Sequence, residues 1–89
     1  MSQLDILIVE DQAYQREILR DFLVNEGHGV KEAENGEEAL RLLTLKTFDL
    51  ILLDFRLPGI NGLEVLKEAK RLNPDAEVVV LTAYGTIET

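Results

Sequence analysis

The sequence predicts an α/β fold, a parallel sheet with helices on both faces. Two observations predict it. Three short runs, at residues 6–9, 48–53 and 78–81, are almost wholly apolar and rich in Ile, Leu and Val, the pattern of strands buried on both faces of a parallel sheet. Between the strand-like runs lie segments whose apolar residues recur every three or four positions. Short connections join the two kinds, which implies right-handed βαβ crossovers.

Leu4 to Val9 reads as the first strand, ending in Glu10 and Asp11. Gln12 to Glu26 reads as a helix on the spacing of Tyr14, Ile18, Leu19, Phe22 and Leu23, with Gly27 as its C′ residue. Asp11 directly precedes that helix, so it suits an N-cap as well as a ligand role. His28 to Ala33 is a weaker strand nearer an edge. A single histidine builds neither a metal site nor a triad, so His28 reads as a turn residue. Asn35 with Glu38 resembles a capping box and opens a helix from about Gly36 to Lys46, with Ala39, Leu40 and Leu43 inward.

The central strand, Phe48 to Leu53, delivers Asp54 at its C-terminal end, and Pro58-Gly59 then interrupts regular structure. Asn61 with Glu64 repeats the cap pattern before a helix from Gly62 to Leu72, packed through Val65, Leu66 and Ala69. Asn73-Pro74-Asp75 is a turn, and Glu77 to Thr82 a fourth strand. Ala83-Tyr84-Gly85 reads as a loop, and Thr86 as the N-cap of a fourth helix.

Eighty-nine residues suffice for one small domain, 1–89. With 9 basic and 17 acidic side chains the net charge is -8, which argues against a nucleic-acid-binding surface or an anionic membrane as partner. There is no cysteine, hence no disulfide framework or thiolate zinc site. No apolar run approaches a membrane span, and the N-terminus lacks a basic signal-peptide region. A cytoplasmic protein is expected.

Polar side chains from three strands meet at one rim, where open α/β sheets bind ligands: Glu10 and Asp11, Asp54, and Thr82. Asp54 alone could simply open a turn. Three carboxylates together repel unless a cation or proton sits among them. Oxygen ligands without His or Cys select a hard ion such as Mg²⁺, and an open Mg²⁺ site is a phosphate site. Thr82 would donate to a phosphate oxygen. Asp54 could be metal ligand, nucleophile or both.

Ile8-Val9-Glu10-Asp11, Leu52-Leu53-Asp54 with Leu57-Pro58-Gly59 and Gly62, and Leu81-Thr82-Ala83 together resemble the receiver domain of two-component response regulators. The tail Leu81 to Thr89 resembles NtrC-type activators in particular. The resemblance implies a flavodoxin-like receiver fold with strand order 2-1-3-4-5. It implies that Asp54 accepts a phosphoryl group from a sensor histidine kinase and that the domain is not an enzyme in its own right. Asp11, Asp54 and the Arg56 backbone carbonyl would bind Mg²⁺, with Glu10 assisting through water. Thr82 would be the switch, the Ala83 N–H would hold a phosphoryl oxygen, and Pro58 and Gly59 would shape the loop. A downstream output domain, a transcriptional activator, is the implied partner.

Family receivers have five strands and five helices. Against that pattern the sequence lacks the fifth strand, its lysine and most of the last two helices, so slow or no phosphorylation is expected. The alternative is a non-catalytic interaction module. An aspartyl-phosphate hydrolase is disfavoured because Arg56 stands where that class has a second acid. The unprotected Val78-Val79-Val80-Leu81 edge and an uncovered first-helix face predict a homo-oligomer through strand four or through that helix.

Overall fold

In the computed structural model, residues 3–57, 59–82 and 85–88 are described. The elements are β1 (Asp5–Val9), α1 (Ala13–Asn25), β2 (Gly29–Ala33), α2 (Gly36–Leu45), β3 (Leu50–Asp54), α3 (Gly62–Leu72), β4 (Glu77–Thr82) and β5 (Gly85–Glu88). One sheet has the order β2-β1-β3-β4-β5. The first four strands are parallel, with Ile6 opposite Leu50 and Leu50 opposite Glu77. β3 therefore sits at the centre, and β2 at an edge as expected.

Strand alternation divides the core. Leu7, Val9, Ile51, Leu53, Val78 and Val80 are buried with Ala39 and Leu43 of α2 and Val65 and Ala69 of α3. The opposite face carries Glu32, which bonds Arg16 and Arg20 of α1. Helices thus cover both faces, as the apolar strands require. Asn35 accepts from the Glu38 N–H (2.8 Å) and Asn61 from the Glu64 N–H (3.1 Å), so both expected caps are in place. Gly27 follows the C-cap of α1 at a φ of 94°.

His28 does more than turn the chain: its Nδ1 accepts the Leu4 N–H at 3.1 Å, tying the α1–β2 turn to the entry of β1. Asn73, buried, donates from Nδ2 to the Phe48 carbonyl (2.6 Å). That bond ties the α3–β4 turn to the segment leading into β3. β3 begins at Leu50 rather than Phe48, and Phe48 is buried as part of the core.

Two expectations at the C-terminal end are corrected. Thr86 does not cap a fourth helix: Gly85–Glu88 is a strand, antiparallel to β4, with Val79 opposite Glu88 and Thr82 opposite Gly85. The open backbone groups of the β4 edge outweigh a local capping signal, because each pairing bond satisfies a donor and an acceptor along that edge. For the same reason the β4 edge expected to be open is paired with β5 from Val79 to Thr82, which removes the free edge on which the expected junction through strand four was based. The expected four parallel strands and three helices stand; the fifth strand is a hairpin return rather than a parallel crossover strand. Tyr84, expected in a loop, lies outside the described residues.

α1 contains no buried residue, and Tyr14, Ile18 and Phe22 are 77%, 51% and 63% exposed. Among the described residues the helix packs mainly over β1 and β2. On the same face Leu52, Val79 and Leu81 remain half-buried. The expectation of an uncovered first-helix face holds.

Candidate functional site

Parallel pairing brings the C-terminal ends of β1, β3 and β4 to one rim. There Glu10, Asp11 and Asp54 each offer a carboxylate oxygen, all within 4.8 Å of one another. The N-cap of α1 is Gln12, not Asp11, and no side chain caps the helix. The Asp11 carboxylate is therefore not spent on capping and stays exposed at the rim.

Glu10 is 5% exposed, unusual for a carboxylate. Its backbone is held on both sides: the N–H donates to the Ala33 carbonyl of β2 (3.0 Å), and Arg16 Nη1 donates to its carbonyl (2.8 Å). Its Oε2 accepts the Gln12 N–H at 3.0 Å. Burial pushes the Glu10 carboxyl above the ordinary value of 4.5, the charges of Asp54 and Asp11 push the same way, and the Gln12 N–H opposes them.

Asp54, the last residue of β3, is half-buried and accepts the Arg56 N–H on Oδ1 at 3.0 Å. That bond folds the loop after β3 back over the acid. The Phe55 N–H donates to the Leu81 carbonyl (3.2 Å), so the loop leaves β3 beside the end of β4. Thr82 is the last residue of β4, one position beyond the Leu81 that pairs with Asp54. The Thr82 side chain, Pro58 and Ala83 lie outside the described residues. Gly59 takes a φ of 76° in the same loop.

Three carboxylate oxygen donors, with no His or Cys among them, suit a hard divalent cation. Among the described residues no Lys or Arg pairs with Glu10, Asp11 or Asp54. Arg16 and Glu32, which join the β1–α1 loop to β2, stand outside the sequence motifs. The available signal was position: helical side chains lean toward the N-terminus, so a long cation one turn into α1 can reach back over the β1–α1 loop.

The family whose model matches residues 6–89 is described as the response regulator receiver domain. Transcriptional regulatory protein ZraR of Klebsiella oxytoca is 41% identical over 88 residues, which cover 99% of this chain and 20% of ZraR. Response regulator protein TrrA of Thermotoga maritima, solved in complex with Mg²⁺-BeF, is 45% identical with a TM-score of 0.82 over 90% of this chain and 70% of its own. A response regulator of Burkholderia pseudomallei, solved with a phosphorylated aspartic acid, a calcium ion and citrate, is 31% identical with a TM-score of 0.87, covering 94% and 49%.

Proposed function

Because this chain belongs to the response regulator receiver domain family of two-component systems, with NtrC-type relatives, we propose that Asp54 accepts a phosphoryl group from a phosphohistidine of a sensor histidine kinase. The observation that carries this reading is the convergence of Glu10, Asp11 and Asp54 at the C-terminal rim of the sheet. A carboxylate oxygen of Asp54 forms the new bond to phosphorus, and the P–N bond of the donor breaks with its electron pair passing to the imidazole nitrogen. Asp11, Asp54 and the Arg56 carbonyl are the proposed Mg²⁺ ligands, with Glu10 reaching it through water. Bound there, Mg²⁺ supplies charge neutralisation for the transferring group. The Thr82 hydroxyl and the Ala83 N–H are the proposed partners of the phosphoryl oxygens. The domain then serves signalling to an output domain of the transcriptional-activator kind, in the cytoplasm, rather than turnover of a substrate.

Transfer is expected to be slow, since no cation pairs with the acids among the described residues and a dianionic phosphoryl group gains most from a charged donor. Incubation with acetyl phosphate and Mg²⁺, followed by intact-mass measurement, should show one phosphoryl group, absent in Asp54→Asn. Label that persists in Asp54→Asn places the acceptor elsewhere and defeats the proposal.

The exposed face of α1 favours a second reading, self-association as an interaction module. Tyr14, Ile18 and Phe22 form a stripe at helical spacing beside the half-buried Leu52 and Val79. With the β4 edge taken by β5, a second copy of this chain packing through α1 is the proposed occupant. Sedimentation equilibrium at tens of micromolar should show a dimer that Phe22→Glu dissociates. A wild-type monomer at that concentration rules this reading out.

A further inference from the structure

We infer that Arg16 is a positioning residue for the acid rim: it clamps the β1–α1 loop so that the carboxylates of Glu10 and Asp11 are held ready for a divalent cation. The inference rests on the reading of that rim as a Mg²⁺ site.

The geometry is specific. Arg16 stands one turn into α1, and its own N–H donates to the Gln12 carbonyl at 3.0 Å. Its guanidinium reaches back along the helix, and Nη1 donates to the Glu10 carbonyl at 2.8 Å. Nε meets Glu32 Oε1 at 3.2 Å, and Arg20 Nη1 reaches the other oxygen of Glu32 at 3.3 Å. The Arg16 side chain is only 17% exposed, so these bonds face little competition from water. One fork therefore joins α1, the β1–α1 loop and β2. The two residues that supply carboxylates follow directly on β1, and among the described residues the remaining ties of the loop are the Glu10 N–H, the Gln12 N–H and the Gln12 carbonyl. Like-charged groups within 4.8 Å drive such a loop apart. A clamp on the backbone opposes that motion while leaving the carboxylate oxygens free.

Position and charge predict opposite signs, which makes the role testable. If Arg16 acted only through its charge, removing it would tighten cation binding at an acidic site, and Lys would substitute without effect. If it acts by position, loss of the fork loosens the site whatever the charge. Lys is one atom shorter and cannot present a planar fork.

The experiment is Mg²⁺ titration of the full 89-residue chain, wild type, Arg16→Lys and Arg16→Gln, with amide hydrogen exchange on the metal-free proteins. Both variants are expected to weaken Mg²⁺ binding by roughly tenfold, the low end of what hydrogen-bond partners behind metal ligands contribute. Exchange at the Gln12 amide should accelerate more than at the buried Leu7 and Val9 amides. Unchanged affinity in both, or tighter binding in Arg16→Gln with Arg16→Lys unchanged, overturns the inference. Exchange that accelerates equally at Gln12, Leu7 and Val9 reports general destabilisation and overturns it as well. Should the Arg16 variants not fold, Glu32→Gln, which removes the ion pair but not the guanidinium, is expected to weaken binding to a smaller extent, and an unchanged affinity there is the overturning result. A wild type that binds no Mg²⁺ defeats the reading of the rim itself, an outcome distinct from variants that match a binding wild type.

Discussion

Asp11→Ala is expected to abolish saturable Mg²⁺ binding and, at pH 7 without metal, to make the chain more stable by on the order of 1 kcal/mol, the ordinary scale of a point substitution. Both effects have one origin. Glu10, Asp11 and Asp54 hold carboxylate oxygens within 4.8 Å of one another, and no Lys or Arg pairs with them among the described residues. Burial raises the Glu10 carboxyl above its ordinary 4.5, and Asp54 and Asp11 raise it further.

A carboxyl whose folded-state value is raised binds its proton more tightly folded than unfolded. Its contribution to stability is fully present below 4.5 and is lost as pH rises through the raised value. At pH 7 the metal-free rim is therefore a cost, which a bound cation offsets and which removal of Asp11 reduces. Urea denaturation with and without Mg²⁺ checks this. Wild type should gain stability with Mg²⁺ by linkage, the variant should not, and the metal-free difference between them should shrink as pH falls below 4.5. A metal-free variant less stable than wild type at pH 7 would show that Asp11 supports the fold, contrary to this account.

The parts of the fold that could be read from the sequence are those set by short-range pattern. Val9, Leu53 and Val80 announce buried strands because a doubly covered parallel sheet tolerates little else at its centre. Asn35 and Asn61 announce helix starts because the N–H they accept lies only three residues on. Parallel strands bring their C-terminal residues to one edge, and the β1–β3 neighbourhood that makes Glu10, Asp11 and Asp54 meet there was implied by the receiver resemblance.

What stayed hidden depends on contacts distant in sequence. Thr86 carries a helix-cap signal locally, yet it pairs with Leu81, because the β4 edge offers backbone partners that no local pattern reports. Arg16 looks like one more surface cation on α1. Its bonds to the Glu10 carbonyl and to Glu32, sixteen residues away, depend on how α1 is set over β1 and β2. The periodicity of α1 likewise gives an apolar stripe but not the share of it that the sheet covers. Phe22 stays 63% exposed because α1 packs mainly over β1 and β2 among the described residues.

Gly36→Ala is expected to destabilise the chain by about 1–3 kcal/mol, the scale of overpacking in a filled interior. Helix propensity predicts the reverse sign. Gly36 is the first residue of α2, and Gly to Ala in a helix is usually favourable by up to about 1 kcal/mol. Space decides against that gain. A Cβ on Gly36 would lie 2.6 Å from the Ile60 carbonyl oxygen, 2.9 Å from the Ile60 Cβ and 3.2 Å from Val65 Cγ2. Two of these neighbours cannot turn aside as a side-chain tip could: one is backbone, the other the root of a side chain. Relief requires the loop between Asp54 and Asn61 to move away from α2.

That loop is held at one end by the Arg56 N–H on Asp54 and at the other by the Asn61 cap on α3, so a shift at Ile60 is transmitted toward the acid rim. Urea denaturation should give a lower midpoint with an unchanged slope, the sign of lost stability without a change in the surface exposed on unfolding. Mg²⁺ affinity in the folded variant should fall as well, since the loop carries the proposed Arg56 carbonyl ligand. A variant as stable as wild type, or more stable, means that the loop yields freely and that the contact of Gly36 with Ile60 does not position it.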